Sequence, residues 1–347
     1  MAPTGWSGRN VVFCPAMIVL GIESSCDDTA AALVRDGCRV LSSVVASQGE
    51  IHHRFGGVVP ELASRRHLEA IVPVVQESLT QAGLDLSDVE GLAVTRGPGL
   101  VGSLLIGFSF AKAVAYTLGV PWVGVNHLEA HIHALFLEER PPQFPFVALI
   151  ASGGHTGLYH VGSYMSMELL GQTLDDAAGE AFDKVAKMLS LGYPGGGVID
   201  RLARRGDPEQ IRFPRPYLDK LNFDFSFSGI KTAVGRYIAQ HREGDRMRLE
   251  DVAAGFQEAV VDVLVYKLLR AAGEKNCRRV ALAGGVAANS RLRERVQQAA
   301  AEAGCAAHVP SLGWCGDNAA MVAAAGYHLL ASGQRGGSED DVFSRSR

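Results

Sequence analysis

The sequence predicts an α/β protein assembled from two related halves. Three observations carry the prediction. Apolar runs of strand length, at 17–23, 92–95, 146–151 and 280–283, alternate with longer segments of helical periodicity. Glycine-rich turns follow several of these runs and open helices, an arrangement by which α/β folds bring backbone amides to a ligand. A strand, a polar turn and a second strand begin at Met17 and recur at Phe146, which points to an internal duplication.

Pro141-Pro142-Gln143-Phe144-Pro145 marks the boundary between the halves. The expected layout is a first lobe at 17–145 and a second at 146–316, with a last helix at about 317–331 packing back on the first. Residues 1–16 read as an irregular extension. Residues 332–347, rich in Gly, Ser and charge, read as a disordered tail.

In the first half, Ser24-Ser25-Cys26-Asp27-Asp28 separates the opening strand from apolar runs at 29–34 and 39–46. The amides of that turn could face a phosphate, or the turn could be a plain solvated loop. His52, His53 and Gly56-Gly57 form a flexible connection. A helix follows at 61–82, with Leu68, Ile71, Val72, Val75, Leu79 and Ala82 along its apolar face. Arg65, Arg66 and His67 then read as a solvated face, with a nucleic-acid contact as the alternative. Arg96-Gly97-Pro98-Gly99-Leu100-Val101-Gly102 opens an apolar helix ending near Leu118. Its start suits an anion, or its glycines serve close packing. It lacks the Lys and Ser/Thr of a P-loop, which argues against nucleotide hydrolysis by that motif.

In the second half, Ser152-Gly153-Gly154-His155 is the turn that repeats the opening pattern. Asp175 or Asp176 is expected to cap the helix that carries Asp183. The glycine loop at 192–197 is expected to lead to a helix beginning at Asp200. Phe223, Phe225 and Phe227 alternate onto one side and read as core. An amphipathic helix at 252–269 precedes the strand at 280–283. Then Gly284-Gly285 leads into a helix that Asn289 either caps or leaves free to bond a nucleotide.

The stretch Asn126-His127-Leu128-Glu129-Ala130-His131 places two histidines four apart on one helix face. Both imidazoles can then reach one cation, or both can be satisfied core residues. Asp317, before a last apolar helix, is the best remote third ligand; as an N-cap it would need no metal. A zincin protease carries Glu directly after its first His. Leu128 holds that place, and Glu129 lies about 100° further round the helix, so the protease geometry is not met.

Apolar residues make up 47% of the chain and charged ones 20%, which excludes a disordered protein. The net charge of −4 argues against a broad basic nucleic-acid surface. Six scattered cysteines, none in C-x-x-C spacing, fit a reducing cytoplasmic setting, and no apolar run suggests a membrane span.

Taken in order, G-I-E-S-S-C-D-D-T, G-G-V-V-P-E-L-A-S-R, G-P-G-L-V-G-S-L, N-H-L-E-A-H, S-G-G-H-T, D-D-A-A-G-E-A-F-D-K, Y-P-G-G, D-F-S-F-S-G-I-K-T, A-G-G-V-A-A-N and C-G-D-N-A-A-M closely resemble the bacterial tRNA threonylcarbamoyladenosine transferase (TsaD) family. The resemblance covers 17–330, with Ala130 where Gly is common. It implies the actin-like ATPase (ASKHA) fold, two ribonuclease-H-like lobes flanking a cleft. It implies transfer of threonylcarbamoyl from threonylcarbamoyl-AMP to N6 of the adenosine 3′ of the anticodon, in tRNAs reading codons that start with A. Carried over by motif, His127, His131 and Asp317 would bind one divalent metal, Fe(2+) or Zn(2+). Ile150, Ala151, Ser152, Gly153, Gly154, Asp183, Gly196, Asp200 and Asn289 would hold the adenylate. The implied partners are tRNA, a paralogous actin-like subunit of the TsaB type, a small P-loop ATPase of the TsaE type and a separate donor synthase. No side chain stands out as the base; Glu23, Asp27 and Asp28 are the candidates.

Overall fold

The computed structural model describes residues 16–216, 222–241 and 247–345. All but the last residue of the expected 1–16 extension lies outside them. Each half builds one five-stranded sheet. In the first, β1 (Ile18–Glu23), β2 (Asp28–Arg35) and β3 (Arg39–Ser47) form an antiparallel meander. Beyond β1, β4 (Gly91–Gly97) and β5 (Trp122–Asn126) add in parallel, giving the order β3-β2-β1-β4-β5. The second sheet repeats this plan. β6 (Phe146–Ala151), β7 (Thr156–Ser163) and β8 (Ser166–Gln172) form the meander, and β9 (Arg279–Ala283) and β10 (Ala306–His308) add in parallel beyond β6.

The first sheet is covered on both faces, which is why β1 reads as an unbroken apolar run. Leu20 and Ile22 face a core shared with α2 (Pro60–Ala82) and α3 (Val101–Leu118), while Val19 faces the opposite core, built on α10 (Ala319–Ala331). The remaining helices among the described residues are α1 (Gly49–His53), which precedes α2, and α4 (His127–His133), α5 (Ala178–Met188), α6 (Gly195–Ala203), α7 (Ser228–Gln240), α8 (Leu249–Glu274) and α9 (Ser290–Glu302), which lie between α3 and α10. The helix α10 lies on β1, β2 and β4 of the first lobe. A Cβ on Gly21 would run into the Ala319 carbonyl, and one on Gly326 into Ala93, so glycine at both positions allows this close approach. By length and composition α3 could cross a membrane; here it packs on β4 and α2.

Three expectations are corrected. On α2 the buried stripe is Ala63, His67, Ile71, Val74, Val75 and Ser78, while Leu68 and Val72 are 65% and 46% exposed. His67 is drawn inward because its ring bonds Thr29 Oγ1 at 2.8 Å and the Cys26 carbonyl at 3.0 Å, satisfying both nitrogens. The connection holding His52 is the short helix α1, and His52 Nδ1 accepts from Val59 N at 3.2 Å.

The tail, read from its composition as disordered, is laid along the first lobe over 332–345. Gly336 N donates to Trp122 O at 2.7 Å, and Lys112 Nζ donates to the carbonyls of Ser338 (2.8 Å) and Asp340 (3.2 Å). Arg96 Nε donates to Asp341 O at 2.8 Å, and its carbonyl accepts from Phe343 N at 3.1 Å. The tail's backbone carbonyls, which composition does not weigh, meet fixed cations, and Val342 joins the core beneath α2 and α3.

Candidate metal centre and adjoining cavities

The side chain of Asn126, where β5 ends, accepts from Leu128 N (2.9 Å) and Glu129 N (3.4 Å) and caps α4. That cap sets His127 in the first turn and His131 one turn later, with ring centroids 4.7 Å apart. At the start of α10, packed against α4 in the same lobe, the cap is Asn318, not Asp317: Asn318 Oδ1 accepts from Met321 N at 2.9 Å. Asp317 is thereby released from capping. Its Oδ1 lies 3.2 Å from His131 Nε2 and 3.6 Å from His127 Nε2, and one ligand atom from each of the three residues falls within 4.8 Å of the others.

These residues fit a cation. Two ligands each about 2.1 Å from a tetrahedral ion stand about 3.4 Å apart, close to the separations from Asp317. His131 is 1% exposed, yet neither of its ring nitrogens makes a well-directed hydrogen bond. His127 is held from behind. Glu23, fully buried at the end of β1, has Oε2 at 3.0 Å from His127 Nδ1 and also accepts from Thr95 Oγ1 and Ser25 N, each at 2.6 Å. A carboxylate on Nδ1–H leaves the Nε2 lone pair for a metal.

The two carboxylates make this a place that favours positive charge, which without an ion is carried by a proton on His127. Burial alone would suppress a charge on His127, but Glu23 and Asp317 outweigh it and raise its pKa to about 9. Burial would likewise favour neutral Glu23 and Asp317; the histidines opposite hold both below the usual carboxylate range. Asp28 differs. Burial, then the charges of Asp317, Asp27 and Glu23, push it up to about 7 against the hydrogen bond from Ser47. Its buried Oδ1 has no hydrogen-bond partner among the described residues.

No spacing in the sequence marks His155 as a site residue. It lies close enough to His127 and His131 that, after burial, their charges help push it down to about 4. Its place in the Ser152–His155 turn, one strand end away from the histidine pair, becomes visible only when the lobes meet.

The expected adenylate set divides. Gly153, Asp183, Gly196, Asp200 and Asn289 line one cavity of about 320 Å³ with Tyr193. Ile150 and Gly154 line a second pocket instead, and Ala151 and Ser152 line neither. Ala151 is buried in β6, and Ser152 Oγ turns back to accept from His155 N at 3.2 Å. Within the cavity, Asn289 both caps α9 through Leu292 N (2.9 Å) and donates to Gln257 Oε1 (2.7 Å). Asp183 accepts from Gly195 N at 2.7 Å through Oδ1. Its Oδ2 has no hydrogen-bond partner among the described residues.

Two expectations about helix starts fail here. Asp200 is the sixth residue of α6 rather than its start, accepting from Ser290 Oγ (2.7 Å) and Arg204 Nη2 (2.8 Å). Neither Asp175 nor Asp176 caps α5. Asp175 accepts from Phe227 N at 2.9 Å, and Asp176 pairs with Lys184 at 2.6 Å and Lys231 at 2.5 Å, so both carboxylates tie α5 to α7.

Residues 39–324 match the profile of a family described as tRNA N6-adenosine threonylcarbamoyltransferase. A protein of that name from Desulforapulum autotrophicum is 60% identical over 95% of this chain and 99% of its own length. Another from Syntrophotalea carbinolica is 57% identical over 91% and 93%. Among solved structures, HypF of T. kodakarensis superposes with a TM-score of 0.64 at 14% identity, over 90% of this chain and 48% of that one. Component A of the (R)-2-hydroxyglutaryl-CoA dehydratase of Acidaminococcus fermentans gives 0.55 at 14%, over 91% and 99%. These two show the fold alone, the actin-like ATPase fold with its paired five-stranded sheets.

Proposed function

Because this chain belongs to the tRNA N6-adenosine threonylcarbamoyltransferase family, we propose that it passes a threonylcarbamoyl group from threonylcarbamoyl-AMP to N6 of the adenosine 3′ of the anticodon, in tRNAs reading codons that start with A. The observation that supports this best is one turn. Gly153 lines the 320 Å³ cavity, and His155, two residues on, sits beside the His127–His131–Asp317 cluster. A nucleotide and a cation would thus meet at the same backbone.

In the transfer a bond forms between N6 and the carbamoyl carbon, the carbon–oxygen bond to the phosphate breaks, AMP leaves and N6 gives up a proton. A divalent cation, Fe(2+) first and Zn(2+) second, held by His127, His131 and Asp317, would supply Lewis-acid polarisation of the anhydride oxygens. Glu23 fixes the His127 ring for that role. The amides of Gly153 and Gly154 can donate to negative charge on the donor. Asp183 Oδ2 is free to accept from a nucleoside hydroxyl. Of the three candidate bases, Glu23 is engaged by His127, Thr95 and Ser25; Asp28 keeps an unpartnered oxygen and can take a proton near neutral pH.

The reaction is proposed to run in the cytoplasm and with partners. Gly102 packs on Ser64, so the first turns of α2 and α3 lie side by side. The two helices expose Leu68 (65%), Val72 (46%), Val101 (45%) and Leu105 (41%), apolar side chains suited to a paralogous actin-like subunit. A small P-loop ATPase and a separate donor synthase complete the set. The test combines purified protein, tRNA transcript and pre-made threonylcarbamoyl-AMP, with and without the two subunits, and reads the nucleosides by mass spectrometry. Modified adenosine at multiple turnover only in the full mixture is expected. Its absence under every condition would remove the transferase reading, and equal rates without the subunits would remove the partners.

A further inference from the structure

A second pocket, of about 230 Å³, lies against Gly154 and His155, the end of the turn whose Gly153 lines the first cavity. Its walls include Leu128 of α4, Gly154 and His155 of the turn, Tyr159 of β7, and Ser344 and Arg345 of the tail. His155, which lines this pocket, lies close enough to His127 and His131 for their charges to act on it, and Gly153, two residues earlier, lines the first cavity, so the two pockets meet at one turn beside the histidine pair. Resting on the transferase reading above, we propose that this pocket receives the acceptor, a purine base turned out of an RNA loop, and that the C-terminal strap at 338–345 forms its outer wall.

Three features carry this. Group transfer between two molecules needs two sites that meet at the transferred group, and one turn serves both: Gly153 lines one cavity and Gly154 the other. The pocket is small and carries the rings of His155 and Tyr159, the kind of surface on which an unstacked base is held once extruded from its helix. The strap is fixed at one end and reaches across at the other. Arg96, Lys112 and Gly97 on the first lobe hold it, and a Cβ on Gly97 would collide with the Phe343 carbonyl. Its far end stands opposite Gly154, His155 and Thr173 of the second lobe. Among the described residues, Ser344 and Arg345 form the pocket wall contributed by the strap. Arg345 is exposed at that end, where a cation would meet the phosphates flanking the base.

The test compares three proteins, each with its partner subunits: the full chain, a chain ending at Gly337, and the full chain carrying Arg345→Glu. The substitution keeps the anchors at Arg96 and Lys112 and so separates the pocket from any loss of folding. Metal content, calorimetric affinity for threonylcarbamoyl-AMP, KM for a tRNA transcript, and anisotropy of a labelled anticodon stem-loop are read. The expected result is a rise in tRNA KM and in stem-loop Kd of about tenfold for both variants, with metal content and donor affinity unchanged. Equal stem-loop affinity in all three proteins, or donor affinity falling in step with tRNA KM, would overturn the pocket assignment. Absence of transfer by the unaltered chain would strike the transferase reading instead.

Discussion

Tyr164, in the turn between β7 and β8, stacks on His328 of α10 with ring centroids 3.7 Å apart and planes 12° from parallel. The pair links the second lobe to the helix that backs the first. His133 of α4 completes the cluster, 5.7 Å from His328 and 6.3 Å from Tyr164 between centroids. Burial depresses both histidines, His133 to about 4 and His328 to about 3, and in His328 the neighbouring His133 adds to the effect.

That cluster sets an acid limit on stability. An unfolded histidine titrates near 6.5. Between that value and the folded values near 3 to 4 the unfolded chain binds more protons, so stability is full above about pH 6.5 and falls as pH drops below it. For buried His133 the slope approaches about 1.4 kcal/mol per pH unit. Urea unfolding at pH 7.5 and pH 5 should show the loss, and His328→Phe should reduce it. An identical pH dependence in that variant would show that the stack does not set the limit.

Removing the histidine pair should abolish metal binding without unfolding the chain. His127→Ala/His131→Ala protein is expected to hold no stoichiometric iron or zinc by elemental analysis, while its circular dichroism stays native. Asp317→Asn should weaken binding less, since an amide oxygen remains at the same place. Full metal retention in the double variant would rule out the site.

Glu23→Gln tests the support behind His127. The amide oxygen can still accept from Thr95 or Ser25, but the carboxylate opposite Nδ1 is gone. Metal affinity should fall by roughly 10- to 100-fold, read by competition with a chelating dye. In the metal-free protein His127 should also lose much of its upward pKa shift, which NMR titration of the ring would report.

The two cavities predict different outcomes for neighbouring substitutions. A Cβ at Gly154 meets nothing within 4 Å, so Gly154→Val should fold normally and any loss reports ligand contact. Asn289→Ala removes the α9 cap and the Gln257 bond as well, so it should cost about 1 kcal/mol of stability in addition to donor affinity. Asp183→Asn should weaken threonylcarbamoyl-AMP binding with little effect on melting. Calorimetry paired with thermal unfolding separates the three, and unchanged donor affinity in Asp183→Asn would remove that residue from the donor site.

Most strands and helices, the duplication of the sheet plan and the grouping of His127, His131 and Asp317 are legible in the sequence. Strand alternation, glycine turns and the His127/His131 spacing are local properties, set by backbone geometry within a few residues. Asp317 is legible as the remote third ligand with a helix cap as its alternative; only the structure shows Asn318 taking the cap and leaving the carboxylate beside the histidines. What tertiary structure alone decided depends on contacts across long sequence separations. Glu23 behind His127 spans 104 residues, and the tail reaches Arg96 across 245. His155 enters the site from the other lobe, and His67 turns inward because Thr29 and Cys26 wait for its ring. The assignment of Gly153 and Gly154 to different cavities follows from which neighbours the fold sets on each side of one turn. Composition could not place the tail, because its binding rests on backbone carbonyls, which every sequence has, meeting cations that only this fold holds in position.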